Sequence, residues 1–593
     1  MYRKRTAVLI AIGVAALMIM VPGASRPATN LSSPSHAVPL VSYNPAPANR
    51  FHAPLSSIAT IALAKATPSV HSLAAIASPN VAVGGGGMTS VPINALRFIN
   101  DNSYMPQSET TVAVDPQNTS RIVGGVNDAR MFFCPSLPPA NCPSGYTESL
   151  SGFSTTGNGG VSLMKSNDIP SLVATLYNGT APFTSVLTSW GDPMVAYAGN
   201  GNFYYASLAI SQNTSANGIE LAISNGNLWK TGPACATPLL NPTTNGCWTG
   251  ALVFGNTSNV AGSFEDKDTM AVDMDSSSTY FGDAYIAWDH FFPNGTSSTY
   301  LARCTPSLTC TMLSGGSASV ISGASPFVAF STVVVGANGN VYVSWCNFGT
   351  FTTTGPVTCY ETTSGPGGTS FGAIHQIVSF MGAGTLYPGF SALSGYATEQ
   401  FRTASIDTLA VDTSGNSNNL YFAIDVCTGG NYYAFYSPAL PGDCGQSGII
   451  FARSTNGGAT WAKTANIATG GSVNVQPSVS VDPSNGDVVV TYYTTAFDPF
   501  NHRTDVVSQV STDQGKTWTM VRVTSTSDEP SADPAMYNYL AASGFGGSFI
   551  VPQYGDYLTC EALDGTIYVT FTGNYQVELG TFQADPFLGM AEE

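Results

Sequence analysis

The chain has 593 residues, a formal net charge of −17 and only 9% charged residues, against about 25% in ordinary globular domains. Its 61 Gly and 37 Pro make up about one residue in six, and aromatics reach 11%. This balance excludes a basic nucleic-acid binder, a charge-rich coiled coil and wholesale disorder, and points to a β-rich protein with uncharged polar loops.

In chain order, Arg3, Lys4 and Arg5 precede an uncharged apolar run that ends at Pro22-Gly23-Ala24. A cationic start, an apolar segment and a small-residue exit read as a secretory signal over residues 1–24, with an uncleaved membrane anchor as the alternative. Residues 25–92 are rich in Pro, Ala and Ser, end in four glycines at 84–87, and show no steady period. They read as a disordered linker. The remainder, 93–593, repeats.

One hairpin pattern starts at Thr110, Asp192, Asp268, Ser331, Asp407, Pro477 and Asp556. Each copy sets β-branched and aromatic runs around an Asn/Asp/Gly turn. A second pattern follows some copies: Ser511-x-Asp513-x-Gly515-x-x-Trp518, its near-copy Ser454-x-Asn456-x-Gly458-x-x-Trp461, and echoes at 224–229 and 364–371. There the Asp or Asn side chain bonds nearby backbone N–H groups, Gly permits the turn, and Trp fills the space between sheets. Seven hairpin pairs predict an all-β protein, a β-propeller of seven four-stranded blades, with six as the alternative count. The last copy has room for three strands, so residues 91–99 are expected to supply the fourth and close the ring.

Ten of the 11 cysteines fall in short-range pairs: Cys134/Cys142, Cys235/Cys247, Cys304/Cys310, Cys346/Cys359 and Cys427/Cys444, with Cys560 left over. Such spacing suits disulfides that staple loops in an oxidising compartment, and reduced buried thiols are the alternative. With no CxxC and six His, a zinc site is not expected.

The second pattern resembles the Asp box, or BNR repeat, of the sialidase superfamily. The stretches Gln107–Asp128, Asp266–Asp273 and Tyr554–Tyr557 look like further signatures of secreted sialidase-like propellers. The resemblance implies a glycan-acting protein, secreted or on the cell surface. The enzymes of that family clamp a substrate carboxylate with three arginines, use a Glu-assisted Tyr nucleophile and rely on an Asp for acid–base chemistry. The planar guanidinium fork suits such a clamp. The family's early Arg-Ile-Pro signature is absent, and a seven-blade count departs from its usual six.

Topology places a candidate site at one end of the axis. In a four-stranded blade, Asp192, Asp268, Asp407 and Asp556 each open an inner strand and are expected to ring the channel mouth. Asp128, Asp289 and Asp425 end second strands at the same rim, whereas the Asp-box turns lie on the opposite face. On this reading Asp268, Tyr554 (or Tyr557) and Glu399 are the catalytic candidates. Arg130, Arg402 and Arg503, with Asp192, Asp407 and Asp556, are the substrate-binding candidates. Arg303 and Arg453 precede turn positions and are poor ones. No cofactor is required; Asp128 and Asp266 are the candidate Ca2+ ligands, although no D-x-D-x-D-G loop occurs. The bland reading is that these acids cap loops near the axis.

Three functions follow: a glycan-binding or glycan-hydrolysing protein of exo-sialidase type, a non-catalytic interaction or structural propeller displayed on the cell envelope, and a hydrolase using a rim carboxylate pair. The expected partner is an extracellular glycan or envelope component, with no nucleic acid, membrane contact only through the N-terminus, and a monomeric state. The absence of G-x-S-x-G argues against serine chemistry.

Overall fold

The computed structural model describes residues 95–100, 107–128, 149–178, 181–211, 217–232, 235, 246–255, 263–314, 321–322, 328–347, 356–381, 391–392, 402–403, 406–429, 446–463, 466–468, 471–500, 503–530, 554–578 and 581–593. The expected signal and linker lie outside them.

Seven antiparallel sheets, blades I to VII, follow one another along the chain. Their inner strands are Gln107–Val114, Met194–Gly199, Phe264–Val272, Val328–Val335, Thr408–Val411, Asn474–Val481 and Thr559–Leu563. Each inner strand packs against the next, and the last packs against the first. The ring therefore closes with no free inner edge. The seven hairpin starts read from the sequence fall one to a blade. Blade VII takes its outer strand from the other end of the chain: Ala95–Arg97 pairs with Thr581–Glu592, and Arg97 Nε bonds Asp585 Oδ2 at 2.7 Å. That is the closure expected of residues 91–99.

Blade II departs from the four-strand pattern. A hairpin of Leu172–Asn178 and Ala181–Ser189 joins it through Leu187–Ser189, paired with Ala209–Ser211. It extends the inner edge beyond the point where Met194–Gly199 begins.

Between blades, alternate residues of neighbouring sheets interdigitate. Trp190, Tyr204, Trp288 and Tyr300 fill the space between blades II and III, and Phe422, Ile424 and Ile450 of blade V pack with Tyr342 and Val357 of blade IV. Each such fully buried large side chain contributes about 1.5–3 kcal/mol.

The turn face is closed by short-range hydrogen bonds. At the end of four inner strands, Asp115, Asp273, Asp412 and Asp482 each accept the backbone N–H two residues on, at 2.9, 3.0, 2.9 and 2.7 Å. These Asx turns explain the recurring Val-Asp of the repeat. In blade VI, Ser511 Oγ donates to Asp513 Oδ1 and accepts from Gly515 N, while Asp513 Oδ1 takes the N–H of Lys516 and Thr517. Trp518 meets Phe451 of blade V edge-on at 4.8 Å. In blade V, Ser454 and Asn456 repeat the scheme through Gly458 N and Thr460 N.

A third turn of this kind escaped the sequence reading. Thr156, Asn158, Gly160 and Ser162 of blade I make the same bonds, with Leu163 at the tryptophan position. Arg303 and Arg453 serve this face: each donates to a turn carbonyl of the next blade, Gly367 O at 2.8 Å and Gln514 O at 2.7 Å.

Disulfides join Cys235 to Cys247, Cys304 to Cys310 and Cys346 to Cys359, three of the expected pairs. Cys134, Cys142 and Cys444 lie outside the described residues, as does the side chain of Cys427. Cys560 is a free thiol. No helix among the described residues is long and apolar enough to cross a membrane.

Candidate functional site at the axial entry

The site originates in a repeated backbone irregularity. Inner strands carry one extra residue against their partners between Ser108 and Thr111, Asp266 and Thr269, Ala329 and Thr332, and Val475 and Ser478. Within each bulge one residue is left-handed: Glu109, Lys267, Phe330 and Gln476 have φ of 53, 56, 64 and 54°. Asp192 and Gly555, at 52 and 86°, precede the inner strands of blades II and VII. Non-glycine residues reach this region only at a cost of order 1–3 kcal/mol. The bulges bring successive side chains and their backbone to the axis.

Acids from four blades meet there around one cation. Lys267 Nζ pairs with Asp556 Oδ2 at 2.5 Å and lies 5.4 Å from the Tyr557 ring centre. The Lys267 N–H donates to Asp192 Oδ2 at 3.2 Å. Glu109 and Asp192 lie close enough for each to shift the other's ionisation. Asn127 bridges the same two residues, donating from Nδ2 to Glu109 Oε2 at 2.7 Å and accepting the Asp192 N–H at 3.0 Å. Asp266 and Asp268 flank Lys267, and Tyr557 donates to Pro193 O at 3.1 Å.

Burial governs the ionisation of this group. It raises Glu109 well above the usual carboxyl range, with Lys267 opposing and Asp192 and Asp556 reinforcing. It raises Asp192 to about 7 and Glu220, a neighbour of Asp268 on blade II, to about 8. Asp268 is raised well above its usual value by burial, then by Asp192, Asp266 and Glu220. Neither of its carboxyl oxygens has a hydrogen-bond partner. Burial pulls the Lys267 pKa down, but Asp556, Asp192, Glu109 and Asp266 outweigh it and hold the ammonium charged. Adjacent carboxyls cannot all ionise, so this group stores protons near neutrality.

The structure thus brings Asp192, Asp266, Asp268 and Asp556 together, with Glu109, Lys267 and Tyr557. Instead of lining an open mouth, Asp192, Asp268 and Asp556 are at most 1% exposed. The bulges fold them inward, and Lys267 and Tyr557 pack among them. Asp407 stands apart, accepting from Ser344 Oγ at 2.8 Å. Asp289 clasps the next blade by accepting the N–H groups of Phe330 and Ser331 at 2.5 and 3.3 Å. Asp128 and Asp425 are buried in their strands. Among the described residues no three His, Cys, Asp or Glu side chains are arranged to hold a metal ion.

The Tyr554 hydroxyl bonds Asp528, in a pocket with Tyr493, Asn574 and Tyr575 at the junction of blades VI and VII. Tyr557 is the tyrosine beside Asp268, which raises its hydroxyl pKa, after burial, together with Glu109 and Asp192. Arg503 sits in the loop after Val488–Thr494, its N–H on Asp498 Oδ2 at 2.8 Å. Arg402 lies in a two-residue strand paired with Ser391–Ala392; its side chain, like Arg130 and Glu399, lies outside the described residues.

Sequence reasoning missed Glu109 and Lys267 as members of the axial group. The available signal was their place: each immediately precedes the first residue of a repeat copy, Thr110 or Asp268.

No family model and no curated protein matches this chain. Among solved structures it is similar to the Hadza microbial sialidase Hz136, at 11% identity and TM-score 0.36 over 74% of this chain and 73% of that one. It is also similar to Trypanosoma rangeli sialidase, at 13% identity and TM-score 0.34 over 71% and 59%. A third is the phage phi92 endosialidase, at 9% identity and TM-score 0.39 over 84% and 69%.

Proposed function

We propose that this chain is an extracellular propeller that binds glycans on the face where the inner strands begin. The observation that carries the reading is the unequal length of the connections at the two ends of the wheel. On the inner-strand entry face, 129–150, 382–407, 430–445 and 523–558 separate consecutive blade strands. On the turn face only 225–247 is comparably long, and it carries the Cys235–Cys247 disulfide. Long connections on a rigid scaffold are where binding side chains are usually carried. The disulfides suit an oxidising compartment outside the cytosol. Exo-sialidase chemistry has less support, because the Tyr554 hydroxyl is committed to Asp528 and the axial acids are buried.

The same burial favours a second reading, in which the axial acids are structural and the propeller is a non-catalytic envelope module. One experiment separates the two. The full chain is presented to a panel of neutral and acidic oligosaccharides, and to a fluorogenic sialoside beside an Asp268→Asn variant. Saturable binding to a defined subset supports the glycan reading. No binding to any member overturns it in favour of the second. Turnover abolished in Asp268→Asn would restore an enzymatic role for the axis.

A further inference from the structure

Most large apolar side chains of the wheel are buried, but the entry-face loop of blade VI exposes two phenylalanines. Phe497 is 40% and Phe500 66% exposed. The loop joins Val488–Thr494 to Asp505–Ser511, so it stands on the same face as the axial acids. Its described residues, 495–500 and 503–504, are held from within. Asp498 N–H donates to Thr495 O at 3.0 Å, and the Asp498 carboxylate takes the N–H groups of Phe500 and Arg503 at 3.2 and 2.8 Å.

The back of the Phe497 ring is covered: the Arg522 guanidinium lies 4.3 Å from its centre. That guanidinium is fixed by Asp505 Oδ1, at 3.0 Å from Nε and 2.6 Å from Nη2, and Ser527 bonds the other Asp505 oxygen at 2.7 Å. Phe497 is therefore a flat ring, immobilised from behind by a cation and part-exposed beside polar groups.

We propose that Phe497 and Phe500 form a stacking platform for a pyranose ring of a neutral glycan. The proposal rests on the glycan-binding reading above and names its subsite. A pyranose presents a face of polarised C–H groups to the negative face of an aromatic ring and hydroxyls at its edge. Arg522, stacked behind the ring and paired with Asp505, fixes the platform without leaving an unbalanced positive charge for a carboxylate. A sugar acid such as sialic acid thus gains nothing here over a neutral one. A bilayer or a second copy of the chain would need only apolar area, and the ring geometry adds nothing to either.

The test compares the full chain with Phe497→Ala/Phe500→Ala, Phe500→Leu and Phe500→Tyr on neutral and acidic polysaccharides, with thermal melting to verify folding. We expect the double alanine variant to lose at least tenfold in affinity for neutral glycans. Phe500→Leu should lose most of the Phe500 share, Phe500→Tyr should retain it, and the melting temperature should be unchanged. Wild-type affinity in the double variant overturns the platform while leaving glycan binding by the propeller intact. Full affinity in Phe500→Leu also overturns it, as does self-association or vesicle binding abolished by the same substitutions. A wild-type chain that binds no glycan removes both readings.

Discussion

The two ends of the wheel solve the problem of burying polar groups in opposite ways. On the turn face, acids act as short-range acceptors. Asp513 is half-buried, and the Thr517 backbone and hydroxyl hold its carboxyl well below the usual range, so it is ionised and saturated. At the axial entry, acids are buried, several are raised toward neutrality or above it, and Asp268 has no hydrogen-bond partner. A turn needs only local bonds and can be copied blade after blade. The axis can be filled only once and must combine unlike residues from several blades. The turn face is therefore repetitive and sequence-readable, and the axis is neither.

The sharpest way to break this contrast is to remove the central cation. Lys267→Met leaves Asp556 buried without its partner, and breaking such a pair costs about 3–5 kcal/mol. Denaturant unfolding should show that loss, and Lys267→Met/Asp556→Asn should recover most of it. If the single variant melts like wild type, the axial pair is not structural.

The second effect concerns pH. Asp192 and Asp289 are raised to about 7 and Glu220 to about 8 in the folded chain, above their unfolded values near 4. Between roughly pH 4 and 8 the unfolded chain has released protons that the native one still holds, so stability falls as pH rises. Each such group contributes a slope of at most about 1.4 kcal/mol per pH unit. The melting temperature should climb on acidification from pH 8 to 5; a flat or opposite trend would contradict the assignment of neutral buried carboxyls.

A smaller effect separates the two faces directly. Ser511→Ala leaves the buried Gly515 N–H without its acceptor, at about 1–3 kcal/mol, and this loss should not vary between pH 5 and 8. Smallest is Asp268→Asn. It replaces a protonated carboxyl with a neutral isostere, so unfolding at pH 5 should be nearly unchanged, with a modest gain at pH 8.

How much of this was legible follows the same division. Seven hairpins marked seven blades, because β-branched runs around Asn/Asp/Gly turns are a local signal. The extra hairpin of blade II showed only as the longest spacing between copies, the 82 residues from Thr110 to Asp192. The Thr156–Ser162 turn is hidden in the sequence because Leu163 stands in the place of Trp; the hydrogen bonds need only the Thr, Asn and Gly. The convergence of Asp192, Asp268 and Asp556 followed from strand topology, whereas their burial did not. Burial depends on the left-handed bulges at Glu109 and Lys267, and no residue preference announces a lysine in that conformation.

The pairing of Ala95–Arg97 with Thr581–Glu592 has a consequence for biogenesis. The earliest strand of the wheel to leave the ribosome finds its partner far along the chain, and Arg97 and Asp585 are 488 positions apart. Six blades can assemble during synthesis, but the seventh must wait until residues 581–592 have been made, since loop closure over such a distance is entropically late. A nascent polypeptide would stay an open arc until that strand emerges, and truncation near residue 580 would remove the latch and leave the rest of the circle standing.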